Sequence, residues 1–138
     1  MIEFFIPGHP QALKRHRTFR CGKRNINVDA SATQKKTFLA CALRYRPERP
    51  LDEPLMVKME FSFPRPKSHF TRKGLKPSAP LLHTGKPDGT NLAKFYEDAL
   101  NGIFWRDDSV IARLSIEKRY AEAPGIFISI MAIKASGA

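Results

Sequence analysis

The sequence predicts an α+β fold, a mixed or antiparallel sheet with two helices, on three observations. Residues 54–65, "PLMVKMEFSFPR", alternate, with Val57, Met59, Phe61 and Phe63 on one side and Met56, Lys58, Glu60 and Ser62 on the other, which is the period of a strand. Two stretches space their apolar residues as helices do. The resulting order of strand, helix, strand, helix, strand, strand lacks the regular alternation of a doubly wound parallel sheet. At 138 residues there is room for one core, so 1–138 is expected to be a single domain.

Taken in order, "IEFFIPG" is a short apolar run closed by Pro7 and Gly8, hence a first strand. "ATQKKTFLACALRYR" follows as a helix behind a Ser31 or Thr33 cap, with Phe38, Leu39, Ala42, Leu43 and Tyr45 near helical spacing, and it stops before Pro47. After the alternating strand, "NLAKFYEDALNGI" gives a second helix whose buried stripe is Leu92, Phe95 or Tyr96, Ala99 and Ile103. "SVIARLSIEKRYA" and "GIFISIMAIK" are strand-like runs joined through Pro124 and Gly125, which suggests an antiparallel pair.

Hydrophobic residues at 42% and aromatics at 10% suit a folded globule, and no run approaches the roughly 18 to 20 apolar residues of a membrane span. The opening "MIEFFIPGHP" has neither the basic start nor the long apolar run of a secretory signal. Cys21 and Cys41 are too few for a disulfide framework and are expected to be reduced thiols in a cytoplasmic protein. Cys21 with His9 and His16 lacks the paired short spacings of a zinc site.

A net charge of +11 points to a polyanionic partner, and its distribution is more telling than its size. Residues 11–24 carry Lys14, Arg15, Arg17, Arg20, Lys23 and Arg24 with no acid; residues 66–86 carry Lys67, Arg72, Lys73, Lys76 and Lys86, again with none. Two basic loops of this kind predict contacts to nucleic-acid phosphates, which give affinity and register with little base readout. His69 and Phe70 are placed to stack on exposed bases; the plainer reading of both loops is a solvated charge excess.

After these basic stretches, "KPDGTNLAKFYEDALNGIFWRDDSVI" packs Asp88, Glu97, Asp98, Asp107 and Asp108 into a short span. The second helix puts Asn91, Lys94 and Asp98 on one polar face, with Asp88 just before it and Asp107 and Asp108 just after. Packing of the following strand against the chain before Asn91 is expected to gather Asp88, Asp107 and Asp108. Clustered carboxylates raise one another's pKa unless a cation sits among them, and magnesium takes one or two carboxylates together with water and phosphate. Acids ringed by basic loops therefore suit a phosphodiester-cleaving centre. Each acid also has a plainer role: Glu97 as a solvated helix residue, Asp98 as the partner of Lys94, Asp107 or Asp108 as turn formers, Asp88 as a cap or turn residue. Thr90 is the N-cap by residue type.

This stretch resembles the core motif of the RusA family of Holliday-junction resolvases, phage- and prophage-associated endonucleases, which reads approximately K-P-D-x-D-N-L-x-K, then D-A-L-N-G, then W-x-D-D-x-x-I. The match runs in strict order through residues 86–111 and extends more loosely to the first strand and both basic loops. The resemblance implies a homodimeric, magnesium-dependent enzyme, with manganese a possible substitute and no organic cofactor. Such an enzyme binds four-way or branched DNA by shape and nicks two opposing strands symmetrically. It assigns catalytic roles to Asp88, Lys94, Asp107 and Asp108, with Asp88, Asp107 and Asp108 on the metal and Lys94 stabilising charge on the phosphate. One position departs: the family's second aspartate falls on Thr90, a much poorer magnesium ligand, for which Glu97 or Asp98 could compensate. The alternative is a weak or inactive dimer that retains junction binding. A ribosomal type of RNA-binding protein would explain the charge and leave the acids without a purpose. The PD-(D/E)xK nuclease pattern fails because Arg119 stands where its lysine belongs.

Overall fold

The computed structural model describes the backbone of residues 1–14 and 17–134, and the side chains of these except 17–21 and 25–28. Its main sheet has four strands: β1 (Ile2–Pro7), β4 (Leu55–Phe63), β7 (Ile111–Tyr120) and β8 (Gly125–Ala132), in the order β1-β8-β4-β7. β8 runs antiparallel to both β1 and β4, whereas β4 and β7 are parallel, so the sheet is mixed. The two helices, α1 (Ala32–Ala42) and α2 (Gly89–Leu100), complete an α+β fold.

Alternation in β4 holds as read: Leu55, Val57, Met59, Phe61 and Phe63 are buried. They meet Phe4 and Ile6 of β1, Ile126, Ile128 and Ile130 of β8, and the buried faces of both helices in one core. Each such side chain contributes about 1.5–3 kcal/mol by leaving water. α2 buries Leu92, Ala93, Phe95, Tyr96, Ala99 and Leu100 and leaves Thr90, Asn91, Lys94 and Asp98 exposed, the expected amphipathic split. Among the described residues no helix is long and apolar enough to cross a membrane.

Four expectations change. The two last strands do not pair, because β4 lies between β7 and β8. The connector of residues 121–124 passes over the end of β4, where the Ala121 N–H donates to Phe63 O at 2.9 Å, and β4 with its row of buried apolar residues thereby takes a central place. The first basic stretch is not all loop: β2 (Arg17–Cys21) and β3 (Arg24–Val28) form an antiparallel hairpin turning at Gly22, whose φ of 62° suits glycine. The second contains a small hairpin, β5 (Phe70–Thr71) with β6 (Gly74–Leu75). Finally, the N-cap of α2 is Asp88 and not Thr90, which lies within the first turn. Ser31 does cap α1, but its hydroxyl accepts from the Lys14 N–H at 2.8 Å in place of a capping bond.

Candidate functional site

The arrangement of the acids follows from how α2 and β7 pack. α2 lies antiparallel along β7: a Cβ built on Gly89 would stand 3.2 Å from Ile116, and the Lys118 ammonium donates to Gly85 O (2.7 Å) and Pro87 O (2.9 Å). The start of α2 thus sits beside the middle and end of β7. Its C-terminal end sits beside the start of β7, where Asp107 and Asp108 lead into the strand.

Trp105 fixes that second end. It is fully buried, its backbone bridges both Leu51 and Asn101, and the Gly102 N–H donates to Trp105 O at 2.8 Å. Leu51 N–H donates to Phe104 O and Arg106 N–H to Leu51 O, so the turn is stapled on both sides. From this anchor the indole Nε1–H donates to Asp108 Oδ1 at 2.8 Å, leaving Oδ2 without a bond from the indole. Asp107 accepts from the Ser109 N–H at 3.0 Å and caps the 3-10 turn of Asp108–Val110.

Electrostatics group the acids differently from their order in the chain. Burial raises the pKa of Asp108, the Trp105 bond opposes this, and Asp98 and Asp107 raise it further. Burial likewise raises Glu97, helped by Asp108 and Asp98 and opposed by Lys94. Asp107 is held below the usual range, first by its bonds to Ser109. Asp98 takes the Lys35 ammonium at 3.4 Å, and Lys35 in turn binds Asp29 at 2.7 Å, so the expected Lys94–Asp98 pair gives way to a tie between α1 and α2.

Glu97, Asp98, Asp107 and Asp108 therefore form one mutually repelling group at the end of α2, and Asp88 lies outside it. Ten residues of helix rise between Asp88 and Asp98 put them about 15 Å apart along the axis. The expected gathering of Asp88 with Asp107 and Asp108 is not found among the described residues of one chain, because the length of α2 stands between them. Among the described residues no group of three or more His, Cys, Asp or Glu side chains is close enough to hold a metal ion. The donors suit magnesium in kind, being hard carboxylate oxygens, and the Asp88 carboxylate makes no capping hydrogen bond. They are, however, divided between the two ends of one polar helix face, with exposed Lys94 between them.

A pH prediction follows. Asp108 and Glu97 are raised in the fold, so their neutral forms are favoured; the stability this gives is complete below the ordinary carboxylate pKa and is lost as pH rises through the folded values. Asp108→Asn is therefore expected to raise the melting midpoint at pH 7 by about 2 °C, and to leave it unchanged near pH 3, in paired thermal melts.

The basic residues divide as follows. Lys14, Lys23 and Arg24 are exposed, the last two at the β2–β3 turn; Lys67 is exposed, as are Arg72 and Lys73 at the β5–β6 turn and Lys86 before Asp88. Lys76 is half-buried, its N–H donating to His69 O at 2.9 Å. Arg15 and His16, and the side chains of Arg17, Arg20 and Cys21, lie outside the described residues. Phe70 is 47% exposed, but His69 packs edge-on against Tyr120 with ring centroids 4.8 Å apart and is not a free stacking surface. Replacing Arg72 and Lys73 by Ala is expected to weaken DNA binding without regard to sequence, and to lower the slope of log affinity against log salt by about 2 in a fluorescence anisotropy titration.

Three residues acting on this region escaped the sequence reading as functional positions. Trp105 stood inside the quoted motif; Lys35 and Lys118 carried no signal, since Asp98 and the Gly85 and Pro87 carbonyls lie 63, 33 and 31 positions away from them.

A basic α+β chain with acids at both ends of one helix has the makings of a nuclease that works on DNA. The chain belongs to the RusA family: residues 7–131 match the family described as Endodeoxyribonuclease RusA, a family of junction-resolving endonucleases that bind junction DNA. It is also 33% identical over 139 residues to the protein named "Uncharacterized protein YqaN" of Bacillus subtilis (strain 168), covering 97% of this chain and 98% of that one.

Proposed function

We propose that this protein is a magnesium-dependent endonuclease that resolves four-way DNA junctions by paired symmetric nicks, acting as a homodimer in recombination and repair in the cytoplasm. Manganese is a possible substitute. The observation that carries this reading is the polar face of α2, with Asp88 at its N-cap, exposed Lys94 and Asp98 along it, and Asp107 and Asp108 in the turn that leads into β7. A two-fold axis across that face would lay two α2 helices antiparallel, so that Asp88 of one copy meets Asp108 of the other, twice over. Two equivalent sites are what paired nicks require.

In each such site Asp88 and Asp108 Oδ2 would hold the metal, with Asp107 beside them and Glu97 in the place left by Thr90. The chemistry a bound magnesium ion supplies is neutralisation of phosphate charge and activation of water. The chain's own contribution is positional. Trp105 holds the Asp108 carboxylate in one orientation, Lys94 places an ammonium where charge grows on the phosphate, and the exposed lysines and arginines of the two basic segments hold the flanking backbone.

One observation favours a second reading: Thr90 is exposed in the first turn of α2 and brings no carboxylate, which would leave a junction-binding dimer with weak or no cleavage. Cleavage of a synthetic four-way junction with magnesium or manganese against EDTA, beside a linear duplex, decides between them. Symmetric, metal-dependent nicking of the junction alone supports the nuclease; tight junction binding without nicking supports the second reading.

A further inference from the structure

We propose that Lys118 is a positioning residue for Asp88, strapping the turn that presents this carboxylate to β7; the inference rests on the nuclease reading above. Ile116 and Lys118, two residues apart, point to the same face of the strand. One meets the start of α2 at Gly89, and the other binds the two carbonyls of Gly85 and Pro87 at 2.7 and 2.9 Å. The same stretch is also joined to β7 through its main chain, His83 N–H donating to Lys118 O and Tyr120 N–H to Leu81 O, both at 3.0 Å. Asp88 is the residue immediately after the last of these anchors, and its own carbonyl accepts the Leu92 N–H at 3.0 Å to begin the helix.

The neighbouring cations behave differently. Lys58 pairs with Glu60 at 3.2 Å, and Arg119 pairs with Glu60 and Glu117, which occupies the nearby carboxylates. Among the described residues no acid lies within ion-pairing distance of Lys118, so its charge is directed at main-chain oxygens. An ammonium has three donors and no acceptor, and it satisfies two outward carbonyls from a single point, which a neutral side chain of this length does not. A carboxylate on an unstrapped turn would sample many positions, and misplacement of a reacting group by about 1 Å can cost about a hundredfold in rate.

The test compares Lys118→Met and Lys118→Arg with the wild-type chain on a saturating four-way junction. Lys118→Met is expected to lower the single-turnover nicking rate by about a hundredfold. Junction affinity should stay within about twofold, because phosphate contacts elsewhere carry it. Lys118→Arg should recover most of the rate. Wild-type nicking by a folded Lys118→Met protein overturns the proposal, as does an equal loss in both variants. Should the wild-type chain itself fail to nick, the nuclease reading falls, and the strap is judged by NMR. Manganese broadening of the Asp88 carboxylate signal that is lost in Lys118→Met and kept in Lys118→Arg supports it; equal broadening in all three overturns it.

Discussion

Mixed in equal amounts, chains carrying Asp88→Asn and chains carrying Asp108→Asn are expected to nick a four-way junction that neither nicks alone. Each variant by itself removes one ligand from both composite sites of a homodimer and should lower nicking by at least about a hundredfold. A mixed dimer is different: one of its sites collects both substitutions and the other keeps both aspartates. Half of the dimers in an equilibrated mixture are mixed and each has one intact site, so activity should return to about a quarter of the wild-type value. Single nicks should also replace paired ones. An inert mixture whose chains demonstrably exchange would remove the shared-site arrangement. The prediction depends on geometry specific to this fold, in which the length of α2 holds Asp88 and the Asp108 group apart.

The largest effect on stability is expected at Trp105. Trp105→Ala removes a fully buried side chain whose indole N–H also binds Asp108, and should cost about 3–5 kcal/mol by urea unfolding. Trp105→Phe separates packing from hydrogen bonding. It keeps most of the buried ring but loses the Nε1–H bond that opposes the upward shift of Asp108. The Asp108 pKa then rises further, and the acid limb of the nicking profile should move to higher pH while the maximal rate at alkaline pH is largely retained. An unmoved acid limb would mean that Asp108 does not titrate in the reaction.

How much of this was legible in the sequence depended on whether the pattern was local. The alternation of β4 and the stripe of α2 are local, and both are found, except that α2 ends at Leu100 and Ile103 of the expected stripe lies beyond it, half-buried. The place of β7 was not, because the short link to β8 looks like a hairpin whether or not β4 lies between them, and only the apolar demand of a central strand decides it. The β2–β3 hairpin was hidden by its arginines, which report charge and mask strand period. The acids themselves were legible as a set, from types and order alone. Their division into two ends of a helix was legible only in part: helical spacing shows that α2 exists, whereas the order of the acids along the chain does not show that its length keeps Asp88 from Asp108. Lys118 and Lys35 act across 31 to 33 and 63 positions respectively, where a sequence offers no spacing rule.

Among the described strands of the main sheet β1 pairs only with β8, with Ile2 opposite Ile130. β1 therefore has no partner strand until β8 has been made, and its backbone N–H and C=O groups stay in water until then. Contacts of such long sequence separation are slow to form. Completion of this sheet thus waits for β8, and the interval before it is when the unpaired β1 is open to chaperones and to aggregation.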